Sequence, residues 1–140
     1  MKRIKRLADE VSQALVNEGF TVHRYDAQKT DSVYLKLDWG ACNSVRISDH
    51  PGHPHIRYRY NIGTWIEQPM ETEDTYPRFF FPAGDVAGLV ARCASDRETR
   101  IGWSGAGGYE KIAAKKKREA KRSTGGFWSN ARKVKRRRNG

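Results

Sequence analysis

Basic residues crowd the C-terminal part of the chain, and their side chains could bind phosphate groups. The set comprises Lys111, Lys115, Lys116, Lys117, Arg118, Lys121, Arg122, Arg132, Lys133, Lys135, Arg136, Arg137 and Arg138. Each phosphate that such a cation neutralises releases counterions, which gives affinity without base specificity. Phe127 and Trp128 lie between the basic runs, and their rings could stack on unpaired bases while the cations follow the backbone. We therefore assign Phe127, Trp128 and these cations to a predicted nucleic-acid-binding surface.

The excess positive charge of the 140-residue chain lies almost wholly in this segment. Residues 1–110 hold 14 lysines and arginines against 15 acids, whereas residues 111–140 hold 13 against one. The net charge is +11 and the isoelectric point is near 10.0. Blocks of like charge repel one another and commonly act as arms for polyanions. The alternative interpretation is a solubility tail, or a nuclear-import signal at residues 133–138 in a eukaryotic host.

A cluster of three histidines offers a second kind of chemistry. His50, His53 and His55 follow Asp49 closely, and imidazoles with a carboxylate could ligate a divalent metal for phosphodiester hydrolysis. The same stretch contains a Pro-Gly dipeptide, which favours a loop between strands with exposed histidines. We expect no metal and no cofactor here, and a metal-dependent nuclease is kept as an alternative function.

Three arginines on predicted strands form a candidate secondary patch. Arg46, Arg57 and Arg59 alternate with inward residues, so they would lie on the outer face of a sheet and could bind phosphate or carboxylate bidentately. An ordinary polar face paired with acids is equally compatible with this pattern. No catalytic nucleophile stands out, since Cys42 and Cys93 fit a turn residue and a core residue. Two cysteines also favour a reducing cytoplasm over a disulfide framework.

Helices and antiparallel strands must position these side chains. Apolar residues at helical spacing over residues 3–18 predict an amphipathic helix, with Gly19 as its stop. Alternation with a period of two predicts strands over residues 33–39, 45–48 and 56–62, with shorter candidates at 20–25 and 78–81. In this pattern Trp39 faces inward. The fold class is therefore α+β: an N-terminal helix packed on an antiparallel β-meander of four to five strands, a second helix, and a basic, partly helical C-terminal arm.

The second half of the chain predicts a helix, a glycine hinge and the arm. The helix begins after Asp85, which can cap its N-terminus. Its inner stripe comprises Val86, Leu89, Val90 and Cys93. Glycines over residues 102–108 predict a flexible hinge, and helix formers over residues 109–122 predict a helix with few residues that can pack. We therefore divide the chain into a compact α+β domain, residues 1–108, and a basic C-terminal arm, residues 109–140.

Two short segments resemble known families. The stretch from Gly105 to Lys117 is similar to the loop-and-helix segment of double-stranded-RNA-binding domains, in which lysines after a glycine-rich turn bridge major-groove phosphates. The stretch Ser-Val-Arg-Ile-Ser-Asp-His, from Ser44 to His50, resembles a strand-turn signature of small phage and mobile-element proteins. Some type II anti-CRISPR proteins, which block the Cas9 nuclease, carry a comparable turn. That resemblance implies a compact body with a basic segment that engages the guide RNA or the nucleic-acid channel of the nuclease.

Together these observations predict a non-enzymatic binding protein. We expect its partner to be DNA or RNA, or a nucleoprotein such as a Cas nuclease with guide RNA, and its narrowest role to be an anti-CRISPR inhibitor of that complex. A structural RNA-binding protein of a ribosome or capsid is a further alternative. The mean hydropathy of −0.84 and the lack of a long apolar run predict no membrane partner. The expected location is the cytoplasm of a prokaryotic host, and the pattern leaves the oligomeric state open.

Overall fold

The fold is a six-stranded sheet with helices, seen in a computed structural model that describes residues 3–42, 44–48, 57–61, 78–82 and 84–137. The elements in chain order are α1 (Arg3–Asn17), β1 (Val22–Asp26), β2 (Val33–Leu37), a 3₁₀ turn (Asp38–Gly40), β3 (Ser44–Ser48), β4 (Arg57–Asn61), β5 (Arg78–Pro82), α2 (Val86–Ser104), α3 (Ala106–Arg122), α4 (Phe127–Asn130) and β6 (Arg132–Lys133). The strands lie in the order β5-β4-β3-β2-β1-β6, and all neighbours are antiparallel. The predicted α+β class, with an N-terminal helix on an antiparallel meander, is confirmed.

The apolar face of α1 and the inner face of the sheet form the core. The buried apolar residues of α1 are Ile4, Leu7, Ala8, Val11 and Leu15, and those of the sheet include Val22, Val33, Leu35, Leu37, Val45 and Ile47. The helix ends at the predicted Gly19, whose φ is +103°. There the Gly19 N–H donates to the Val16 carbonyl and the Phe20 N–H to the Leu15 carbonyl. A left-handed residue closes the helix in this way, which favours glycine.

α2 completes the core and begins at the predicted cap. The Asp85 carboxylate accepts a hydrogen bond from the Gly88 N–H at 2.9 Å, which satisfies a donor of the first helical turn. The predicted inner stripe is confirmed, because Leu89 and Cys93 are buried and the other two members, Val86 and Val90, pack against the core. Among the helices that the structure describes, none is both long and apolar enough to cross a membrane.

The glycine-rich residues 102–108 are helical except at Gly105, so the flexible hinge predicted for them is wrong. α2 continues to Ser104 and α3 begins at Ala106, so that Gly105 alone joins them, with a φ of +75°. The flexible segment expected over residues 102–108 is thereby reduced to one residue. Tertiary packing overrides the low helix propensity of glycine here, because buried Tyr109 anchors the first turn of α3.

β2 ends earlier than its alternation predicts, and Trp39 is not an inward-facing strand residue. The chain turns at Asp38 and Trp39, whose φ values are +52° and +61°. The Asp38 carboxylate accepts a hydrogen bond from the Thr21 N–H at 3.0 Å, and the Asp38 N–H donates to the Thr21 carbonyl at 2.8 Å. These bonds hold a left-handed backbone that residues other than glycine rarely adopt.

The basic C-terminal segment supplies the sixth strand. β6 pairs with β1 and places Lys133 opposite His23. The Val134 N–H then donates to the Val22 carbonyl, and the Val134 side chain packs against the core. The division at residue 108 stays a prediction about folding units. Within the described residues, however, the basic segment lies on the body instead of extending away from it.

Candidate nucleic-acid interface

α3 presents four of the predicted cations as one stripe. The α3 stripe consists of Lys111, Lys115, Arg118 and Arg122. Their spacing of four, three and four residues places them on one helical face, and all four are exposed. The opposite face carries Tyr109 and Ala120, which are buried against the body. None of the four forms an ion pair with a described residue.

A buried polar contact fixes α3 to the body. The Tyr109 hydroxyl donates to the Asp38 carboxylate at 2.5 Å, and the Arg97 guanidinium lies 3.1 Å from the same oxygen. Burial and the Asp38 carboxylate raise the pKa of Tyr109, so the hydroxyl remains a donor. Asp38 is itself held by Thr21, so the α3 stripe has a defined orientation relative to the sheet.

The turn at Asp38 and Trp39 brings the Trp39 ring to the outer face of the sheet, where α4 packs. The Trp39 ring centre lies 4.1 Å from that of His23 and 5.6 Å from that of Trp128. Phe127 contacts Tyr25 at 5.9 Å between ring centres. Both rings that the sequence predicts to stack on bases are therefore half-buried against the body, and part of each surface is already used.

The side chain of Lys36 extends from β2 toward the two rings of α4. Its Nζ is 4.9 Å from the ring centre of Phe127 and 4.8 Å from that of Trp128, a cation–π arrangement. We call the group formed by His23, Tyr25, Lys36, Trp39, Phe127 and Trp128 the outer-face cluster. It combines the two features of a surface that binds a nucleic acid strand, stacked rings and fixed cations.

Further cations surround the outer-face cluster, and they crowd one another. Burial and then the charge of Lys116 lower the pKa of Lys36. Burial and then the charge of Lys133 lower the pKa of His23 to about 4. The Lys117 Nζ lies 5.6 Å from the Trp39 ring centre. Among the residues that the structure describes, no carboxylate forms an ion pair with any of these lysines.

The remaining predicted cations that the structure describes lie, together with Lys133, in α3, in β6 and in the tail that follows β6. Lys121 is exposed on α3, Arg132 and Lys133 are exposed in β6, and Lys135, Arg136 and Arg137 follow them, also exposed. The side chain of Gln13 holds this tail, since it donates to the Lys135 carbonyl and accepts from the Arg137 N–H. Arg137 also lies 3.6 Å from the Asp9 carboxylate. Arg138 lies outside the described residues.

The predicted arginine patch is described only in part. Arg46 is half-buried, its guanidinium carbon is 5.6 Å from the Tyr34 ring centre, and it donates to the Ser32 hydroxyl at 3.5 Å. The strand register places Arg59 opposite Arg46 and Arg57 opposite Ser48, as their alternation predicts. Whether the three side chains form one patch stays a prediction.

The nuclease alternative depends on three histidines that the structure does not describe. His50, His53 and His55 lie outside the described residues, so the nuclease interpretation stays a prediction. Within the ranges that the structure describes, no three His, Cys, Asp or Glu side chains lie close enough together to hold a metal ion. Cys42 and Cys93 are both buried.

Sequence reasoning missed several members of the outer-face cluster. His23, Tyr25, Lys36 and Trp39 were not among the predicted site residues. The alternation of β2 placed Lys36 on the polar face, which was a usable signal for that lysine. The position of Trp39 had no such signal, because it depends on a turn that contacts α3 and α4.

No protein-family model, no curated protein and no solved structure matches the chain. Its function is therefore inferred from its residues and their arrangement.

Proposed function

We propose that this protein binds nucleic acid without catalysing a reaction on it, through the α3 stripe and the cations around the outer-face cluster. One observation carries the proposal. These cations lie on ordered surface elements and form no ion pair with a described carboxylate, and two of the cations at the cluster, Lys36 and Lys117, lie beside aromatic rings.

The charge pattern of α3 opposes its own stability. Lys111 and Lys115, and likewise Arg118 and Arg122, are pairs of like charge four residues apart. Each such pair destabilises an isolated helix by about 0.2–0.5 kcal/mol. Glu119, four residues after Lys115, is the single acid among the charged residues from 111 to 122 and offsets only part of this repulsion. Only the cations in the last turn, Lys121 and Arg122, interact favourably with the helix dipole. A bound polyanion would offset the repulsion, which makes phosphate recognition a better account of the stripe than helix stability.

The dimensions of the stripe suit a phosphate backbone. At 1.5 Å per residue, the distance from Lys111 to Arg122 along the helix axis is about 16 Å. One strand of duplex DNA carries about five phosphates over that distance. A tail that only increases solubility does not require regularly spaced cations on one helical face, because any exposed arrangement of charges increases solubility.

The proposal is tested by the salt dependence of binding to fluorescently labelled duplex DNA, duplex RNA and single strands. The variant Lys115→Gln/Arg118→Gln removes two stripe charges while it keeps good helix formers. We expect weaker binding to every polymer, with a log–log salt slope that is shallower by about 1.8 for duplex DNA and about 1.4 for single strands. The matched control, Arg3→Gln/Arg6→Gln, removes two exposed α1 charges and should change the slope by less than about one. Absence of binding to all polymers at low salt would overturn the proposal.

The narrower expectation, an inhibitor of an RNA-guided nuclease, is a version of this proposal. Its support is the resemblance at residues 44–50, of which the structure describes Ser44–Ser48 as β3. Addition of the protein to a Cas9–guide complex should stop target cleavage, and the Lys115→Gln/Arg118→Gln variant should inhibit less. Full cleavage at a large excess of protein would exclude this role and leave general nucleic-acid binding in place.

The nuclease alternative is separated from both by one assay. Supercoiled plasmid incubated with Mg²⁺ or Mn²⁺ should stay intact in the presence of the protein. Nicking that disappears in a His50→Ala/His53→Ala/His55→Ala variant would favour the enzyme. A structural RNA-binding role predicts instead that the protein sediments with ribosomes or capsids and leaves the nuclease complex active.

A further inference from the structure

An open groove of about 630 Å³ lies on the outer face of the sheet, beside the outer-face cluster. Its floor and walls are formed by the loop that joins β1 and β2, by two tyrosines of those strands, and by the start of α4. The residues that line it include Tyr25, Gln28, Lys29, Tyr34, Phe127 and Asn130. Its volume is within the range of pockets that hold a small planar ligand.

Three aromatic rings line this groove. Tyr25 is the central ring, with centre-to-centre distances of 6.2 Å to Tyr34 and 5.9 Å to Phe127. The ring planes are inclined by 36° and 55° to that of Tyr25, so the three rings form a concave surface instead of a closed stack. All three are half-buried and keep part of their surface open to solvent. Such a surface can receive a planar aromatic group by stacking.

The polar groups of the groove suit the edges of a base. The side chains of Gln28 and Asn130 are exposed at the rim, and each amide offers both a donor and an acceptor. Thr30, also at the rim, accepts a hydrogen bond from the Ser32 N–H at 3.3 Å, which orders the loop.

The cations in and around the groove indicate that the ligand carries negative charge. Lys29 is its single charged lining residue among those described. Arg46 lies against Tyr34 and Lys36 against Phe127, so two more cations flank the aromatic walls. A ligand that is aromatic in the middle and anionic at its margin fits this arrangement. A nucleotide within a chain has this chemistry, whereas an apolar peptide would offer these cations no anion.

We propose that this groove binds an unpaired base, so that the protein prefers single-stranded over duplex nucleic acid. The inference rests on the proposed nucleic-acid binding and adds the strandedness of the ligand. A base in a duplex is stacked on both faces and paired along one edge, and it would have to leave the helix to enter the groove. A base in a single strand enters while its phosphates reach Lys29, Lys36 and Arg46.

The test compares a single strand that carries one 2-aminopurine with a duplex of the same length. Wild-type protein should quench the fluorescence of the single strand as the base stacks, and should bind the single strand more tightly. Tyr34→Ala should lower single-strand affinity about tenfold, the effect of losing one stacked base, while duplex affinity stays unchanged and shows that the fold is intact. Tyr34→Phe should restore single-strand binding because it keeps the ring.

The two proposals fail in different ways in this experiment. If neither polymer binds at low salt, the proposed function itself is wrong. If both bind equally, with no quenching and no effect of Tyr34→Ala, only the single-strand inference is wrong. Asn130→Ala, an exposed substitution that removes one rim amide, gives a second check and should weaken single-strand binding by about two- to fivefold.

Discussion

The two faces of the sheet are built from alternate residues of the same strands, yet they have different roles. On the inner face Val33, Leu35 and Leu37 are fully buried beneath α1. On the outer face the residues between them, Tyr34 and Lys36, are half-buried. The inner face supplies most of the hydrophobic stabilisation, because burial of apolar surface is the main favourable term in folding. The outer face is covered over part of its area by α4 and can present rings and charges to a ligand.

A comparison of buried cations on the two faces sharpens this contrast. On the inner side Arg24 is buried and forms ion pairs with Asp26 at 2.7 Å and with Asp9. Burial alone would raise the pKa of Asp26, but the hydrogen bonds and charges of Arg24 and Lys5 outweigh it and lower the pKa to about 2. On the outer side Lys36 is partly desolvated and has aromatic rings as neighbours, with no carboxylate in an ion pair among the described residues. The inner cation is neutralised within the protein, and the outer cation is available to an anionic ligand.

Removal of the Leu35 side chain should give the largest effect on stability. Leu35→Ala leaves a cavity in the inner face, and the expected loss in the free energy of unfolding is about 2–5 kcal/mol. Lys36→Ala, one residue away, should cost no more than about 1 kcal/mol and should instead weaken nucleic-acid binding. Urea unfolding together with binding assays measures both. Equal losses of stability in the two variants would contradict the assignment of different roles to the two faces.

Tyr109→Phe should have the next largest effect. The change removes the hydroxyl that donates to buried Asp38, and loss of a hydrogen bond to a buried charged group costs about 1–3 kcal/mol. Amide hydrogen exchange should show faster opening of α3, whose orientation this contact fixes. Tyr34→Phe is the matched control on the outer face and should change stability by less than about 0.5 kcal/mol. Unchanged exchange in Tyr109→Phe would mean that apolar packing alone holds α3.

The outer face should also make stability depend on pH through His23. Its pKa is lowered to about 4 in the folded protein, whereas an unfolded histidine titrates near about 6.5. Between these values the unfolded chain takes up a proton that the folded chain does not, so stability falls as the pH falls from about 6.5 to about 4. Compared with His23→Phe, the wild type should lose about 1–3 kcal/mol more over this window. Parallel losses in urea unfolding at each pH would contradict the depressed pKa.

Arg137→Gln should have the smallest effect. Its ion pair with Asp9 is exposed, with an N–O distance of 3.6 Å, and such pairs contribute less than about 0.5 kcal/mol. The tail should stay in place through Val134 and Gln13, with little change in the melting temperature. A loss above about 1 kcal/mol would show that the tail cations are committed to the body's own acids, which would weaken the case for phosphate binding.

Much of the fold follows from local patterns. The stripe of α1, the stop at Gly19 and the cap at Asp85 each depend on residues within one or two helical turns, and all three were predictable. The alternation of β2 and β3 was predictable for the same reason, because successive side chains of a pleated strand point to opposite faces of the sheet. Helix formers likewise predicted α3, although its start at Ala106 was not foreseen.

Local patterns were enough to predict the class of the fold, the inner face of the sheet and the concentration of positive charge near the C-terminus. Three features required the three-dimensional structure: the basic segment returns to the sheet as β6, Trp39 turns to the outer face, and Tyr109 donates a hydrogen bond to Asp38 across 71 positions of the chain. Periodicity reports what a segment does within a few residues. The partner of an exposed ring or a strand edge is chosen by long-range packing, which no local pattern encodes.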